Sequence, residues 1–256
     1  MNGFAAFLSK EITQTLRSKH LLIIVAVFLL LGLMNAPIAK LTPLILEFAG
    51  VGDLSGLLGI PEPRALDAWV QFSSNVGQMG ILAILLICGG TLSGEKSRGT
   101  LILPLTKGLG RMGVVLIKFL VTSALWTIGL AIAALSSWLY TTLLFPGETL
   151  VNLVWMVLLL WLFGEFLLAL IPLSSVLFRG SMSGLIIPGG VLFILLVLGA
   201  FPELFFWNPM LLGTNGLALI VEVQTLGDFL APALCAIVVA VVSVTAALAR
   251  FRKAAV

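Results

Sequence analysis

Long runs without a charged residue are the feature that most limits how this chain can fold. Five such runs are uninterrupted, and a sixth contains a single acid, Glu165. A helix needs about 20 mostly apolar residues to cross a hydrocarbon core about 30 Å thick. The sequence therefore predicts an all-α polytopic membrane protein with six transmembrane helices. We place them at about 21–39, 70–93, 114–143, 151–177, 182–201 and 229–249.

The composition agrees with a single membrane domain that covers residues 1–256. Charged residues make up 10% of the chain, whereas a soluble domain has about a quarter. A transmembrane β-barrel would show strands of about ten residues with alternating polarity. The runs in this chain are instead continuous and rich in leucine, which favours helices.

The lysines and arginines are unequally distributed between the connections of the six predicted spans. All but two of the 14 lie before span one, between spans two and three or at the start of span three, between spans four and five, or after span six. The two exceptions are Lys40 and Arg64. Because basic residues are enriched in cytoplasmic loops, we expect both termini to be cytoplasmic, in a multi-pass protein of the inner (cytoplasmic) membrane. This distribution also explains the net charge of +3, so nucleic acid is not expected as a partner.

Residues 2–19 are too polar to cross a membrane but have the periodicity of an amphipathic helix. One face carries the apolar positions, with Thr15 among them: Phe4, Phe7, Leu8, Ile12, Thr15 and Leu16. Lys10 and Arg17 lie on the other face. We expect this helix to lie in the cytoplasmic interface, with its apolar side in lipid and its basic side on headgroups. The alternative is a solvated N-terminus that frays.

Two later features concern helix packing and the connections. Gly180 and Gly184 form a pair of small residues at the spacing that permits close helix packing. The connection 201–228 is apolar and is divided by prolines and glycines, which favours a re-entrant or interfacial hairpin that must be covered by protein where it enters lipid.

Residue types that carry enzymatic chemistry are scarce. The single histidine, His20, lies at the edge of span one. The sequence Gly94-Glu95-Lys96-Ser97 lacks the upstream glycine of a phosphate loop. We therefore do not expect an enzyme, a metal site, or bound ATP on this chain.

Glu165 is the one acid within a predicted span. Ionisable groups at membrane depth are costly and mark candidate functional sites. Glu165 could line a translocation path, bind a cation or relay a proton. Alternatively, it is protonated or bonded to neighbouring polar groups and only fixes helix packing.

The charged connection between spans two and three carries the strongest motif. It reads Glu95-Lys96-Ser97-Arg98-Gly99-Thr100-Leu101, and Arg111 and Lys118 follow. This pattern resembles the ABC-2 type permeases, in particular the six-span branch that serves multidrug, bacteriocin and nitrous-oxide-reductase maturation systems. In that family the connection reads Glu-x-x-x-Gly-Thr-Leu, a leucine-rich stretch, Pro-x-Ser-Arg, then Lys at the start of span three. This chain departs from the family with Pro104 in the leucine-rich stretch and with Gly108 and Gly110 at the usual proline and serine.

The resemblance implies that residues 94–113 form a coupling loop seated in a groove of a separate cytoplasmic ATPase. Its ATPase-coupling residues would be Glu95, Arg98, Gly99, Thr100, Arg111 and Lys118. Two ATPase subunits, which bind ATP and Mg, would serve two permeases, either two copies of this chain or this chain and a paralogue. The expected activity is transport, by family resemblance export, of a hydrophobic or amphipathic substrate. The alternative is an ion-coupled carrier or channel that uses Glu165.

Overall fold

The computed structural model describes residues 3–46, 48, 62–99, 110–201 and 206–253. Helices account for most of these residues, and no β-strand occurs within these ranges. The predicted all-α class is therefore confirmed for the described part of the chain.

Eleven α-helices are described, which we number in chain order. They are α1 (Gly3–Arg17), α2 (Lys19–Leu46), α3 (Ala65–Asn75), α4 (Ile81–Cys88), α5 (Thr91–Ser97), α6 (Arg111–Leu144), α7 (Leu153–Leu177), α8 (Ile186–Leu198), α9 (Met210–Thr214), α10 (Leu217–Ile220) and α11 (Leu230–Lys253). A π-helical segment, Val76–Gly80, joins α3 to α4, and short 3-10 turns precede α8 and α11.

Five described segments are long and apolar enough to cross a membrane. They are Lys19–Ile45, Ala65–Ser97, Met112–Leu144, Leu153–Leu177 and Leu226–Arg252. These correspond to the predicted spans one, two, three, four and six. The predicted fifth span, 182–201, contains only a shorter apolar helix over Ser183–Leu198.

The long helices run alternately up and down, so their termini gather at two ends of a bundle. At one end, side chains of α1, α5, α6, α7 and α11 share a buried cluster that includes Phe7, Leu92, Val115, Val176 and Phe251. We call this the basic end, because Lys96, Lys118 and Arg179 lie there too. At the opposite end, Lys40 donates to the carbonyl oxygen of Leu144 at 3.2 Å.

Helix α7 is the centre of the bundle, and it contacts α6, α8, α9, α10 and α11. Its residues are almost all buried from Phe166 to Val176. Gly164 lies directly against the indole of Trp126 on α6, which in turn meets Phe28 of α2 edge-on at 5.8 Å. Since lipid removes the hydrophobic drive for helices to associate, such close van der Waals contacts are what hold a membrane bundle together.

The segment α8–α10 leads from the basic end to the opposite end in broken pieces. Asn208 donates to the carbonyl oxygen of Leu195, near the end of α8, at 2.8 Å. Gly213 of α9 then packs on Phe163 at mid-length of α7, and Asn152 at the start of α7 donates to the carbonyl oxygen of Leu219 in α10 at 3.0 Å. The short helices are buried by protein, as a re-entrant segment requires.

Candidate functional site at the basic end

Helix α1 packs on the bundle through one edge of its apolar face. Phe7 and Glu11 are buried, whereas Phe4, Ile12 and Leu16 remain exposed. The apolar face is therefore shared between the protein and the surroundings. The exposed strip has the chemistry expected of a helix in the membrane interface.

Four charged side chains form a compact ion cluster between α1, α5 and α6. Lys118 lies 3.0 Å from Glu11 and 3.1 Å from Glu95, measured from its Nζ to the carboxylate oxygens. Lys10 closes the cluster, 2.6 Å from Glu11 and 3.4 Å from Glu95. The Lys118 and Glu11 side chains are only 5% and 8% exposed. Two positive and two negative charges thus compensate one another in a cluster that is buried at Lys118 and Glu11 and partly exposed at Lys10.

The two acids also affect the titration of Lys10. Partial burial by itself lowers the pKa of Lys10, but the hydrogen bonds and charges of Glu11 and Glu95 outweigh it. The net result is a pKa above the ordinary lysine value of 10.5. Lys10 therefore stays charged well above neutral pH.

The residues predicted to couple to an ATPase lie in different environments. Glu95 and Lys118 are brought together in the ion cluster. Arg98 is exposed at the end of α5, and Gly99 follows it in the left-handed region with φ of 70°. Thr100 lies outside the described residues. Arg111 begins α6, and its side chain is likewise outside the description. Their role in coupling stays a prediction.

Sequence reasoning missed Glu11 and assigned Lys10 only to headgroups. A signal was present, since Glu11 is the single acid before Glu47 and follows Phe7 by one helical turn. An acid on the apolar face of an otherwise basic segment indicates a buried cationic partner. Only the fold could identify that partner as Lys118, which is distant in sequence.

The connection between α7 and α8 packs against α5. Ser93 donates to the carbonyl oxygen of Ser181 at 2.6 Å. Lys96 donates to the carbonyl oxygens of Ser175 at 3.1 Å and Val176 at 3.0 Å. These carbonyls belong to the last turn of α7, where a cation satisfies otherwise unpaired acceptors.

Glu165 lies at mid-length of α7, half-buried against α6. Ser123 of α6 donates to its Oε1 at 2.6 Å. One turn nearer the opposite end, the Trp161 indole donates to Thr127 at 2.9 Å. No lysine or arginine is paired with Glu165 among the described residues, unlike the acids of the ion cluster.

A polar stripe on α3 and the π-helical segment also escaped sequence reasoning. Gln71 is half-buried, and Ser74 and Gln78 are exposed along the same face. Behind them, Asn75 donates to the buried Asn35 of α2 at 2.9 Å. Gln71 additionally borders a cavity of about 300 Å³ between α2 and α3, lined by Ala39, Thr42, Pro43, Pro63, Asp67, Val70 and Gln71. The signal in the sequence was a group of amides and hydroxyls within a predicted span.

Comparison with known proteins adds no assignment to this geometry. No protein-family model matches the chain, and no curated protein matches it.

Proposed function

We propose that this chain is the transmembrane subunit of an ABC transporter, as its resemblance to the ABC-2 type permeases implies. The observation that carries the proposal is the contact between Glu95 and Lys118. Glu95 belongs to the proposed coupling motif, and Lys118 lies two turns into the helix that follows it. A coupling loop that is displaced by an ATPase must be rigidly attached to the transmembrane helices, because a flexible connection would not transmit the displacement to them.

The ion cluster supplies that rigid attachment. Removing one member of a buried ion pair is strongly destabilising, since the other charge is left uncompensated. Glu95, Lys118 and Glu11 therefore hold α5, α6 and α1 as one body. In this proposal Glu95 and Lys118 position the loop, while Arg98 and Gly99 are exposed to meet the ATPase together with Thr100 and Arg111.

The basic end would face the cytoplasm, and the chain would cross the membrane six times. Helix α8 with its preceding 3-10 turn is about 25 Å long, slightly less than the hydrocarbon core. We propose that α8, α9 and α10 together make the fifth crossing. The sixth crossing, α11, then returns the C-terminus to the basic end, in accordance with the distribution of lysines and arginines.

The polar stripe supports a translocation path that two permeases form together. Exposed amides and hydroxyls are unfavourable against hydrocarbon, so they usually face water or other protein groups. Gln71, Ser74 and Gln78 would line the path beside a second copy or a paralogue. The substrate class follows from family resemblance and is a hydrophobic or amphipathic molecule, moved outward at the expense of ATP bound by the partner.

The direct test is proximity of Arg98 to an ATPase. The full chain, with Arg98→Cys in a Cys88→Ser, Cys235→Ser background, is expressed in native membranes and cross-linked. We expect capture of a protein that contains a phosphate loop, whereas Arg64→Cys at the opposite end should capture none. The proposal is wrong if both positions capture the same proteins, or if the purified chain transports without any ATPase.

A functional test reverses the charge at Arg98. Arg98→Glu should lower the affinity of the ATPase by at least about tenfold, because a charge-assisted hydrogen bond contributes about 1.5–3 kcal/mol. Arg64→Glu is the matched control and should leave the affinity unchanged. Equal affinities for all three proteins would contradict a coupling role for Arg98.

The second candidate function is an ion-coupled carrier or channel, favoured by the position of Glu165. A carboxyl group at mid-length of a span, bonded to a hydroxyl but to no described cation, has the chemistry of a proton or cation site. In that case Glu165→Gln abolishes ion-driven transport in proteoliposomes. Full transport by this variant over the whole pH range excludes the second candidate and leaves Glu165 a packing role.

A further inference from the structure

The two connections at the basic end form a single surface. In addition to the hydrogen bond from Ser93 to Ser181, the backbone of Gly184 rests on Gly89, where any side chain at 184 would overlap the carbonyl oxygen of Gly89. A methyl group on Gly94 would lie 3.3 Å from Nη2 of Arg98 and 3.8 Å from the carbonyl oxygen of Ser181. Arg98 therefore lies near the turn that contains Arg179.

Three positive charges meet on this surface. Arg98 donates from Nε to the carbonyl oxygen of Gly94 at 3.1 Å, and its side chain is exposed. Arg179 is also exposed, and it follows by three residues Val176, whose carbonyl oxygen accepts from Lys96 at 3.0 Å. Like charges on one surface raise the free energy of the protein, and an anion bound between them would lower it.

Large apolar side chains surround the same turn. Leu177, Phe178 and Met182 are 48%, 40% and 57% exposed. They lie where the candidate span Leu153–Leu177 ends, which is the depth at which hydrocarbon gives way to headgroups. Apolar side chains next to exposed arginines at this depth match a ligand that has acyl chains and a phosphate.

We propose that Arg98 and Arg179 bind a phosphate oxyanion, and that its source is the headgroup of an anionic phospholipid whose acyl chains lie along Phe178 and Met182. Lys96 contributes charge from behind, with its ammonium group held by the α7 carbonyls. A free phosphate would use the arginines but leave the apolar residues uncovered. The site shares Arg98 with the proposed ATPase contact, so Arg179, which has no part in that contact, distinguishes the two proposals.

The test measures lipid binding to the full chain in mild detergent by native mass spectrometry. Phosphatidylglycerol is titrated against phosphatidylcholine, which has similar chains but no net charge. Since a basic residue near an anionic surface contributes about 1 kcal/mol, Arg98→Gln and Arg179→Gln should each weaken phosphatidylglycerol binding about fivefold. Phosphatidylcholine binding should not change.

Matched variants separate charge from folding. Arg179→Lys keeps the charge and should retain most of the lipid preference, whereas Arg64→Gln removes a charge at the opposite end and should retain all of it. Glycerol phosphate is the probe for a free anion and should not displace the lipid. Displacement by glycerol phosphate, or an undiminished preference in the variant that combines Arg98→Gln with Arg179→Gln, would overturn the proposal. So would a loss of lipid preference on Arg64→Gln as large as that on Arg179→Gln.

Discussion

The ion cluster at the basic end and Glu165 in the middle of α7 differ in how their charges are compensated. In the cluster, two lysines and two acids from three helices compensate one another at 2.6–3.4 Å. Glu165 has a hydroxyl partner, Ser123, and no described cation. The difference indicates that the ion cluster compensates its charges within the protein, whereas Glu165 has a neutral partner among the described residues.

Removing Lys118 should have the largest effect on stability. Lys118→Met leaves Glu11 buried without its nearest buried cation, which should lower the free energy of unfolding by about 3–5 kcal/mol. The measurement is the rate at which a thiol reagent labels the buried Cys88 in detergent, in a Cys235→Ser background.

A second variant distinguishes the effect of leaving the Glu11 charge uncompensated from the effect of losing the packing of the Lys118 side chain. Combining Lys118→Met with Glu11→Met replaces the pair with apolar groups and should restore much of the stability. If Cys88 in the Lys118→Met variant is labelled as slowly as in the parent protein, the cluster does not hold the three helices together. The compensated charges of the cluster would then matter no more for stability than the uncompensated Glu165.

The contact between the two connections gives the next largest effect. Gly184→Ala forces a methyl group into the carbonyl oxygen of Gly89 and against Ser175, which should cost about 1–3 kcal/mol. Gly189→Ala in α8 is the matched control, because no atom lies within 4 Å of the added group. It should be neutral or stabilise by up to about 1 kcal/mol. Equal labelling of Cys88 in both variants would show that the basic end is not closely packed at Gly89.

The long helices could be predicted from the sequence because their signal is local. Apolar length alone identifies Lys19–Ile45 and Met112–Leu144, since a helix in lipid must satisfy its backbone within itself. The prolines in the first predicted span and the connection after it do not end the helix. Helix α2 continues through Pro37 and Pro43 to Leu46, beyond the end expected at about residue 39.

The packing of residues 206–220 and the ion cluster could not be predicted from local signals. Gly213 packs against α7 and Asn208 bonds to α8 through tertiary contacts, which no periodicity reveals. Likewise, Lys118 meets Glu11 across 107 residues. The resemblance named Glu95 and Lys118 among six coupling residues, but neither their contact with each other nor their neighbours on α1.

Apolar substitutions in the polar stripe should change function more than stability. Gln78→Leu and Ser74→Leu replace exposed polar side chains with apolar ones. Each should alter the free energy of unfolding by no more than about 0.5 kcal/mol. If the stripe lines a path, transport in proteoliposomes should fall severely. Leu82→Ile, at the exposed position one turn further along, is the control and should transport normally. Normal transport by Gln78→Leu would show that the stripe has no part in the path.

The smallest effect concerns the alkaline stability of the cluster. Because the pKa of folded Lys10 is raised above 10.5, its contribution to stability is complete below that pH. The contribution is lost as the pH rises through the folded value. Lys10→Arg keeps the positive charge throughout this range, so it should lose less stability than the parent between about pH 10 and 12. Lys40→Arg, at the opposite end, serves as the control and should follow the parent. If Lys10→Arg and the parent show the same decline in Cys88 protection, Lys10 is not bound as tightly by Glu11 and Glu95 as their distances indicate, and only Lys118 compensates these acids.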